Sequence, residues 1–192
     1  AVSGTTMIVG SYDSTDGSAD VGQAYVFTRV AEGNWSQAAV LAPPDGSPGD
    51  QFGVTVVALD TQIGAIAVVA SIAHANETGA AYVFEQPTGA SQWQFSAKLV
   101  AESGLKEGSF GIDMAIQPCG DAGCCSRLFV GAPDHIHNNL DLGSAYVFER
   151  SCAGGWERVQ ELLAPDGTIY DEFGSSVAVD GDIALVGAPL ND

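Results

Sequence analysis

The chain has 192 residues, 46% of them apolar, which is enough to fold around packed cores rather than stay disordered. Six basic residues stand against twenty-four acidic ones, a net charge of -18 that repels phosphate backbones and anionic membrane surfaces and excludes nucleic acid as a partner. Such a surface favours cations, Ca²⁺ above all, or a basic face on another protein, with plain solubility as the competing reading.

In chain order, a first apolar stretch ends at Gly10-Ser11-Tyr12, and Ala-Tyr-Val-Phe follows at 24–27. Trp35 then opens another run, and Pro44-Asp45-Gly46 marks a turn. Phe52-Gly53 leads into strands at 54–59 and 65–70. The longest apolar run, 63–73, is about half of the roughly 20 residues a membrane helix needs and is broken by Gly64 and Ser71, so it reads as a buried strand. Ala-Tyr-Val-Phe returns at 81–84 and Trp93 follows. Phe110-Gly111 opens strands at 112–117 and 128–133, separated by a cysteine-bearing excursion. The same strand and tryptophan recur at 145–148 and Trp156, and Pro165-Asp166-Gly167 repeats the turn. Phe173-Gly174 leads to a hairpin whose Asp180-Gly181 step suits the positive φ of a tight connection, and the stretch closes on Gly187-Ala188-Pro189. No window carries a sustained helical period, so almost no helix is expected.

From each tryptophan to the next motif phenylalanine is 17 residues in all three cases, and from each Ala-Tyr-Val-Phe tyrosine to its tryptophan is 10, 11 and 10. A period of about 60 residues with four strands per unit predicts an all-β fold, a β-propeller of four-stranded antiparallel blades. A β-sandwich, the main rival, gives no reason for a tryptophan at that interval. Blades packed on both faces also explain why 66–69 and 183–186 are apolar without alternation. The units are read as 1–50, 51–108, 109–171 and a partial 172–192, about three and a half blades in one propeller region. The remaining blades are expected from further sequence or another subunit. No charged-then-apolar signal segment opens the chain, so a targeting peptide is expected to be removed or to lie outside it.

Phe-Gly at the start of the first strand and Gly-Ala-Pro at the end of the second is the pattern of FG-GAP repeats, which this sequence resembles over essentially its whole length. The copies are Phe52-Gly53 with a degenerate Ala70-Ser71-Ile72, Phe110-Gly111 with Gly131-Ala132-Pro133, and Phe173-Gly174 with Gly187-Ala188-Pro189. The family includes the head propeller of integrin α subunits and many surface or secreted proteins. The resemblance therefore implies an extracytoplasmic binding, adhesion or scaffolding module without enzymatic activity. The integrin calcium loop between the first two strands is absent: the corresponding connections, 60–64, 118–125 and 179–182, lack the alternating oxygens of a six- to eight-coordinate site.

Candidate sites lie elsewhere. Asp13, Asp16 and Asp20 cluster in the loop between the second and third strands, where Ca²⁺ is the possible cofactor and turn capping the competing reading. Asp134 and Asp141 occupy the corresponding loop two units on. Asp50 and Asp171 precede the motif phenylalanines and suit turn formation. Cys119, Cys124, Cys125 and Cys152 all belong to one unit, and two disulfides are expected; of three pairings the preferred one joins Cys125 with Cys152 and Cys119 with Cys124. Zinc is the lesser alternative. Paired cysteines imply an oxidising compartment, at the cell surface, outside the cell or in a lumen. Asn34 and Asn76 head N-glycosylation patterns. His74, His135 and His137 read as loop histidines at a solvated rim. The expected partner is a protein or glycan, to which the acidic surface would offer a site for a basic face, with no nucleic acid and no direct membrane span. Alternatives are a structural subunit of an assembly, or a propeller appended to a hydrolase domain outside this chain.

Overall fold

A computed structural model describes the chain outside residues 14–19, 32, 102–108, 121–122, 138–139 and 192. The first sheet holds β1 (Val2–Ser3), β2 (Thr6–Ser11), β3 (Gln23–Ala31) and β4 (Asn34–Leu41). The second holds β5 (Phe52–Thr61), β6 (Gly64–Ser71), β7 (Ala80–Pro87) and β8 (Gln94–Leu99), with the single-turn helix α1 (His74–Glu77) between its second and third strands. The third comprises β9 (Met114–Cys119), β10 (Cys125–Ala132), β13 (Ser144–Arg150) and β14 (Trp156–Leu162). A small hairpin of β11 (Ile136–His137) and β12 (Leu140–Asp141) fills its loop. A fourth unit has only β15 (Ser176–Asp180) and β16 (Ile183–Gly187). Every sheet is an antiparallel meander in sequence order, and the sheets are arranged like propeller blades.

The three cores lie between blades, not within them. Ile8, Ala24, Val26 and Leu41 of the first blade meet Phe52, Ala67, Val69, Tyr82 and Phe84 of the second. Ile66, Val68, Val83 and Leu99 on the second blade's other face meet Phe110, Met114, Leu128, Val130, Tyr146 and Phe148 of the third. Phe129, Ala145 and Val147 continue to Val177 of the fourth. Successive residues of one strand thus feed opposite cores, as the twofold alternation of strand side chains requires. In Ala-Tyr-Val-Phe, the alanine and valine face the following blade while the aromatic pair faces the preceding one. The motif phenylalanine fills the gap it opens: Phe52 lies edge-on to Tyr82 at 5.6 Å, and Phe110 packs on Tyr146 at 5.6 Å. All three third-to-fourth strand pairings slip register at the Val-Phe step, between Val26 and Phe27, Val83 and Phe84, and Val147 and Phe148.

The glycines of the motif are set by close backbone approach. Gly53, Gly111 and Gly174 sit at φ of 100°, 99° and 104°, each preceded by two residues by a left-handed Gln51, Ser109 or Glu172. The chain thus turns sharply into each new blade. The glycine of Gly-Ala-Pro, whose place in the first unit is taken by Gly10 of Gly10-Ser11-Tyr12, lies under the next blade's Phe-Gly: a Cβ on Gly10 would stand 1.8 Å from the Gly53 carbonyl oxygen, and one on Gly131 1.9 Å from that of Gly174. In the degenerate copy that glycine is Ala70, and its methyl faces Gly111. Polar ties add to these contacts. Thr55 Oγ1 donates to the Ile112 carbonyl at 2.9 Å, and the Val177 N–H donates to Asp113 at 2.8 Å.

Candidate functional site

The meander puts the loops between second and third strands on the same end of the molecule as the connections from each fourth strand to the next blade. On this rim the second blade builds a buried polar clasp. Asp50 Oδ2 accepts the Ser47 N–H at 2.8 Å and lies 2.7 Å from His74 Nδ1. Lys98 Nζ, which only donates, lies 2.7 Å from His74 Nε2 and 2.6 Å from Asp45 Oδ2, so Nε2 accepts and the Nδ1–H donates to Asp50. Tyr82 donates its hydroxyl to Asp45 at 2.8 Å and receives both the His74 ring edge and the Lys98 ammonium, 5.5 Å from its centroid. Burial and the Asp45 hydrogen bond push the Tyr82 hydroxyl far above its ordinary value. Burial also raises the Asp45 carboxyl, but hydrogen bonds from Lys98 and Tyr82 outweigh it and leave the group lowered.

The third blade repeats the clasp with other residues. His135 is buried edge-on against Tyr146 at 5.5 Å, with Nε2 3.6 Å from Glu161 Oε1. That oxygen also accepts the Ser144 and Tyr146 hydroxyls. At the fourth blade Asp171 accepts the Thr168 N–H and hydroxyl and the Asn191 amide. The Thr168 bonds hold the Asp171 carboxyl below the usual range. His74, His135 and Asn191 all stand four residues past the glycine position of Gly-Ala-Pro, at Ala70, Gly131 and Gly187.

His74 and His135 are therefore 8% and 7% exposed, not solvated as the sequence suggests, because the rim loops fold back over the tyrosines. The shared offset from the motif is the signal that marks them. Asp50 and Asp171 do cap their turns, and Asp50 also orients His74. The Ser71 hydroxyl donates to the Asp50 carbonyl at 2.8 Å, on the backbone side of the clasp.

Asp13 and Asp20 are exposed at the two ends of the first blade's rim loop, and Asp16 lies outside the described residues. The Asp20 carbonyl accepts the Gly49 N–H. Among the described residues no three His, Cys, Asp or Glu side chains converge on a common point. The Ca²⁺ expectation thus depends on Asp16 and on carbonyls of the same loop. Asn34 opens β4 on the exposed surface, and Asn76 belongs to α1.

The opposite end carries the cysteines, and here the structure corrects the preferred pairing of Cys125 with Cys152 and Cys119 with Cys124. The bonds join Cys119 with Cys125 and Cys124 with Cys152. The reason is register: Cys125 stands directly opposite Cys119 on β9, and Ser126 opposes Arg150 on β13. Extending that antiparallel pairing brings Cys124, not Cys125, against Cys152. Close by, Arg150 grips Glu85 of the preceding blade with two bonds of 2.9 and 2.7 Å and donates to the Cys124 carbonyl. Trp156 and Ser96 also donate to Glu85. Burial raises the Glu85 carboxyl, but its bonds to Arg150 and Ser96 bring it below the usual value. A groove of about 230 Å³ runs beside this pair, lined by Ile63, Ile66, Pro87 and Gln86. A more polar one of about 240 Å³ lies between the first two blades, lined by Thr5, Thr28, Asp60 and Thr88.

No curated protein matches the chain in sequence. The crystal structure of Saccharomyces cerevisiae Sqt1 is similar to it, with a TM-score of 0.48 and 14% identity; the match covers 86% of this chain and 35% of that one. The chain thus matches about a third of that protein's length. A sequence profile described as FG-GAP repeat matches residues 35–84 and 156–192. That profile agrees with the Phe-Gly and Gly-Ala-Pro pairs standing at successive blade junctions: the chain carries FG-GAP repeats over those residues, in sheets arranged like the blades of a β-propeller.

Proposed function

We propose that the chain is a non-enzymatic, extracytoplasmic binding or scaffolding module whose rim loops engage a protein or glycan partner, preferably through a basic face. The observation that carries the reading is the repeated clasp. Three successive blades spend buried polar groups on holding the same rim loops, while their surroundings stay acidic: residues 133–143 and 163–172 contain five carboxylates and no Lys or Arg. A rigid, one-signed surface suits electrostatic recognition of a cationic partner. Two disulfides agree with an oxidising compartment. Binding to an array of glycans and of basic and acidic proteins at about 0.15 M salt tests the proposal. Affinity for basic members that weakens with salt and falls in the Asp166→Asn, Glu172→Gln variant is expected. Silence across the array, or hydrolysis of ester or glycoside probes, overturns it.

Calcium at Asp13, Asp16 and Asp20 is a separate part of the proposal. It predicts a higher melting temperature at millimolar Ca²⁺ that Asp16→Asn abolishes; an unchanged melt removes it. A structural role in an assembly is the second reading. Co-purification of a second chain would distinguish it.

A further inference from the structure

At the end of the molecule that carries the cysteines, two successive blade junctions are closed differently. Between the second and third blades Glu85 is gripped by Arg150 at 2.9 and 2.7 Å and also accepts the Trp156 Nε1–H at 3.3 Å. Counted from the tyrosine of each Ala-Tyr-Val-Phe, Thr28 stands at the position of Glu85 and Gln86 at that of Arg150, while Trp93 takes the place of Trp156. The plug is therefore missing between the first and second blades. Thr28 brings no carboxylate to the indole, and the Gln86 amide turns aside to donate to the Ala90 carbonyl at 3.2 Å. The space holds the polar groove of about 240 Å³, walled by Thr5, Thr28, Asp60, Gln86 and Thr88. The blades on both sides of it have all four strands, so its walls are whole.

Two buried polar atoms at this junction lack the partner that such atoms ordinarily have. Trp93 packs against the core between the first two blades, and among the described residues nothing accepts its Nε1–H. Asp60 Oδ1 is likewise without a donor, because the Thr5 N–H and hydroxyl both go to Oδ2, at 2.8 and 3.2 Å. A ligand that completes both atoms must offer an acceptor and a donor together. Hydroxyls do so. Among the described residues lining the groove Asp60 alone is charged, so phosphate, sulfate and carboxylate groups are repelled. The volume is several times the roughly 30 Å³ share of one water, yet below the roughly 300–1,000 Å³ of sites for drug-sized ligands. One compact polyhydroxy ring meets these limits.

We propose that the groove between the first two blades binds one neutral sugar residue, whose hydroxyls supply the acceptor that Trp93 lacks and the donor that Asp60 lacks. The sugar takes the place that the Glu85–Arg150 pair fills one junction later. The site lies at the opposite end from the rim loops, so its test leaves the rim reading untouched.

Titration of the chain with D-glucose, D-galactose, D-mannose and N-acetyl-D-glucosamine, followed by tryptophan emission and saturation-transfer NMR, tests it. At least one of them should bind with a Kd on the order of 1 mM, and D-glucuronate should not. Thr28→Glu combined with Gln86→Arg rebuilds the plug of the next junction and should abolish binding while the chain still melts cooperatively. Asp60→Asn is the second variant. Its amide oxygen goes to the Thr5 N–H, leaving an NH₂ that cannot accept, so affinity should fall about tenfold or more. No response to any of the four sugars at about 50 mM overturns the proposal. Undiminished binding in either variant places the sugar elsewhere and overturns it as well. Glucuronate binding as tight as that of the neutral sugars overturns the ligand class. So does a melting temperature that rises with Ca²⁺ but with no sugar and loses that rise in Asp60→Asn, which would make the groove a cation site.

Discussion

At the scale of residues, the motif is explained by two kinds of close approach. Gly131 lacks the positive φ of the Phe-Gly glycines, so an added methyl would meet no backbone strain there, only the Gly174 carbonyl oxygen at 1.9 Å. Gly131→Ala should therefore cost about 1–3 kcal/mol, the usual range for overpacking, read as a lower melting temperature. Ala70 shows that the position can be relieved. There the facing Gly111 stands farther from the neighbouring strand, with a built Cβ 3.7 Å from the Ala80 oxygen where those at Gly53 and Gly174 lie 2.5 and 2.2 Å from theirs. The junction has widened around the methyl. Glu85 is the second informative residue. Its folded carboxyl is depressed, so its contribution is fully present above the ordinary value of 4.5 and is lost as pH falls through the lower folded value. Glu85→Gln leaves Arg150 buried without a counter-charge and should cost about 3 kcal/mol at neutral pH. It should also flatten the loss of stability between pH 5 and pH 3, roughly the range over which carboxylates titrate. Equal slopes for the two proteins in thermal melts across that range would refute the assignment.

At the scale of elements, the strand order was legible because each landmark marks a different strand of the unit. Phe-Gly precedes the first, Gly-Ala-Pro ends the second, Ala-Tyr-Val-Phe forms the third and tryptophan opens or precedes the fourth. The spacing of such landmarks survives changes in loop length. The disulfide pairing did not share that robustness, since one residue of register decides whether Cys124 or Cys125 reaches Cys152, and the cysteine-bearing connection from β9 to β10 hides that register. Burial of His74 and His135 was missed for a related reason: their partners Asp50, Lys98 and Glu161 are distant in sequence and converge only when the rim loops close. The pairing has a direct consequence. Replacing both Cys124 and Cys152 by Ser should leave no titratable thiol, as should replacing Cys119 and Cys125. Replacing Cys125 and Cys152 should expose two thiols. The bond from Cys124 to Cys152 spans 28 residues and the one from Cys119 to Cys125 spans 6. Loop-closure entropy then ranks their removal at about 3–4 and about 2 kcal/mol, an order that denaturant titrations of the two double variants check.

At the scale of the whole molecule, a charge of -18 opposes every junction that brings blades together. Among the described residues the ion pairs of Lys and Arg that salt would weaken are few: Glu85 with Arg150 is nearly buried, and Asp45 with Lys98 and Arg127 with Glu149 are partly exposed. Screening of carboxylate repulsion should therefore prevail. Melting temperature should rise between about 0.02 and about 0.5 M NaCl as the Debye length shrinks toward a few ångströms. A gain of about 1 kcal/mol corresponds to about 2–4 °C for a chain of this size, and a fall over the same range would show that the ion pairs dominate. The same series tests the acidic rim. A cationic partner held there by attraction across an exposed surface should bind more weakly as salt rises, while the chain itself becomes more stable. Opposite salt slopes for stability and partner binding are the expected signature; an affinity that holds or grows with salt would refute electrostatic recognition at the rim.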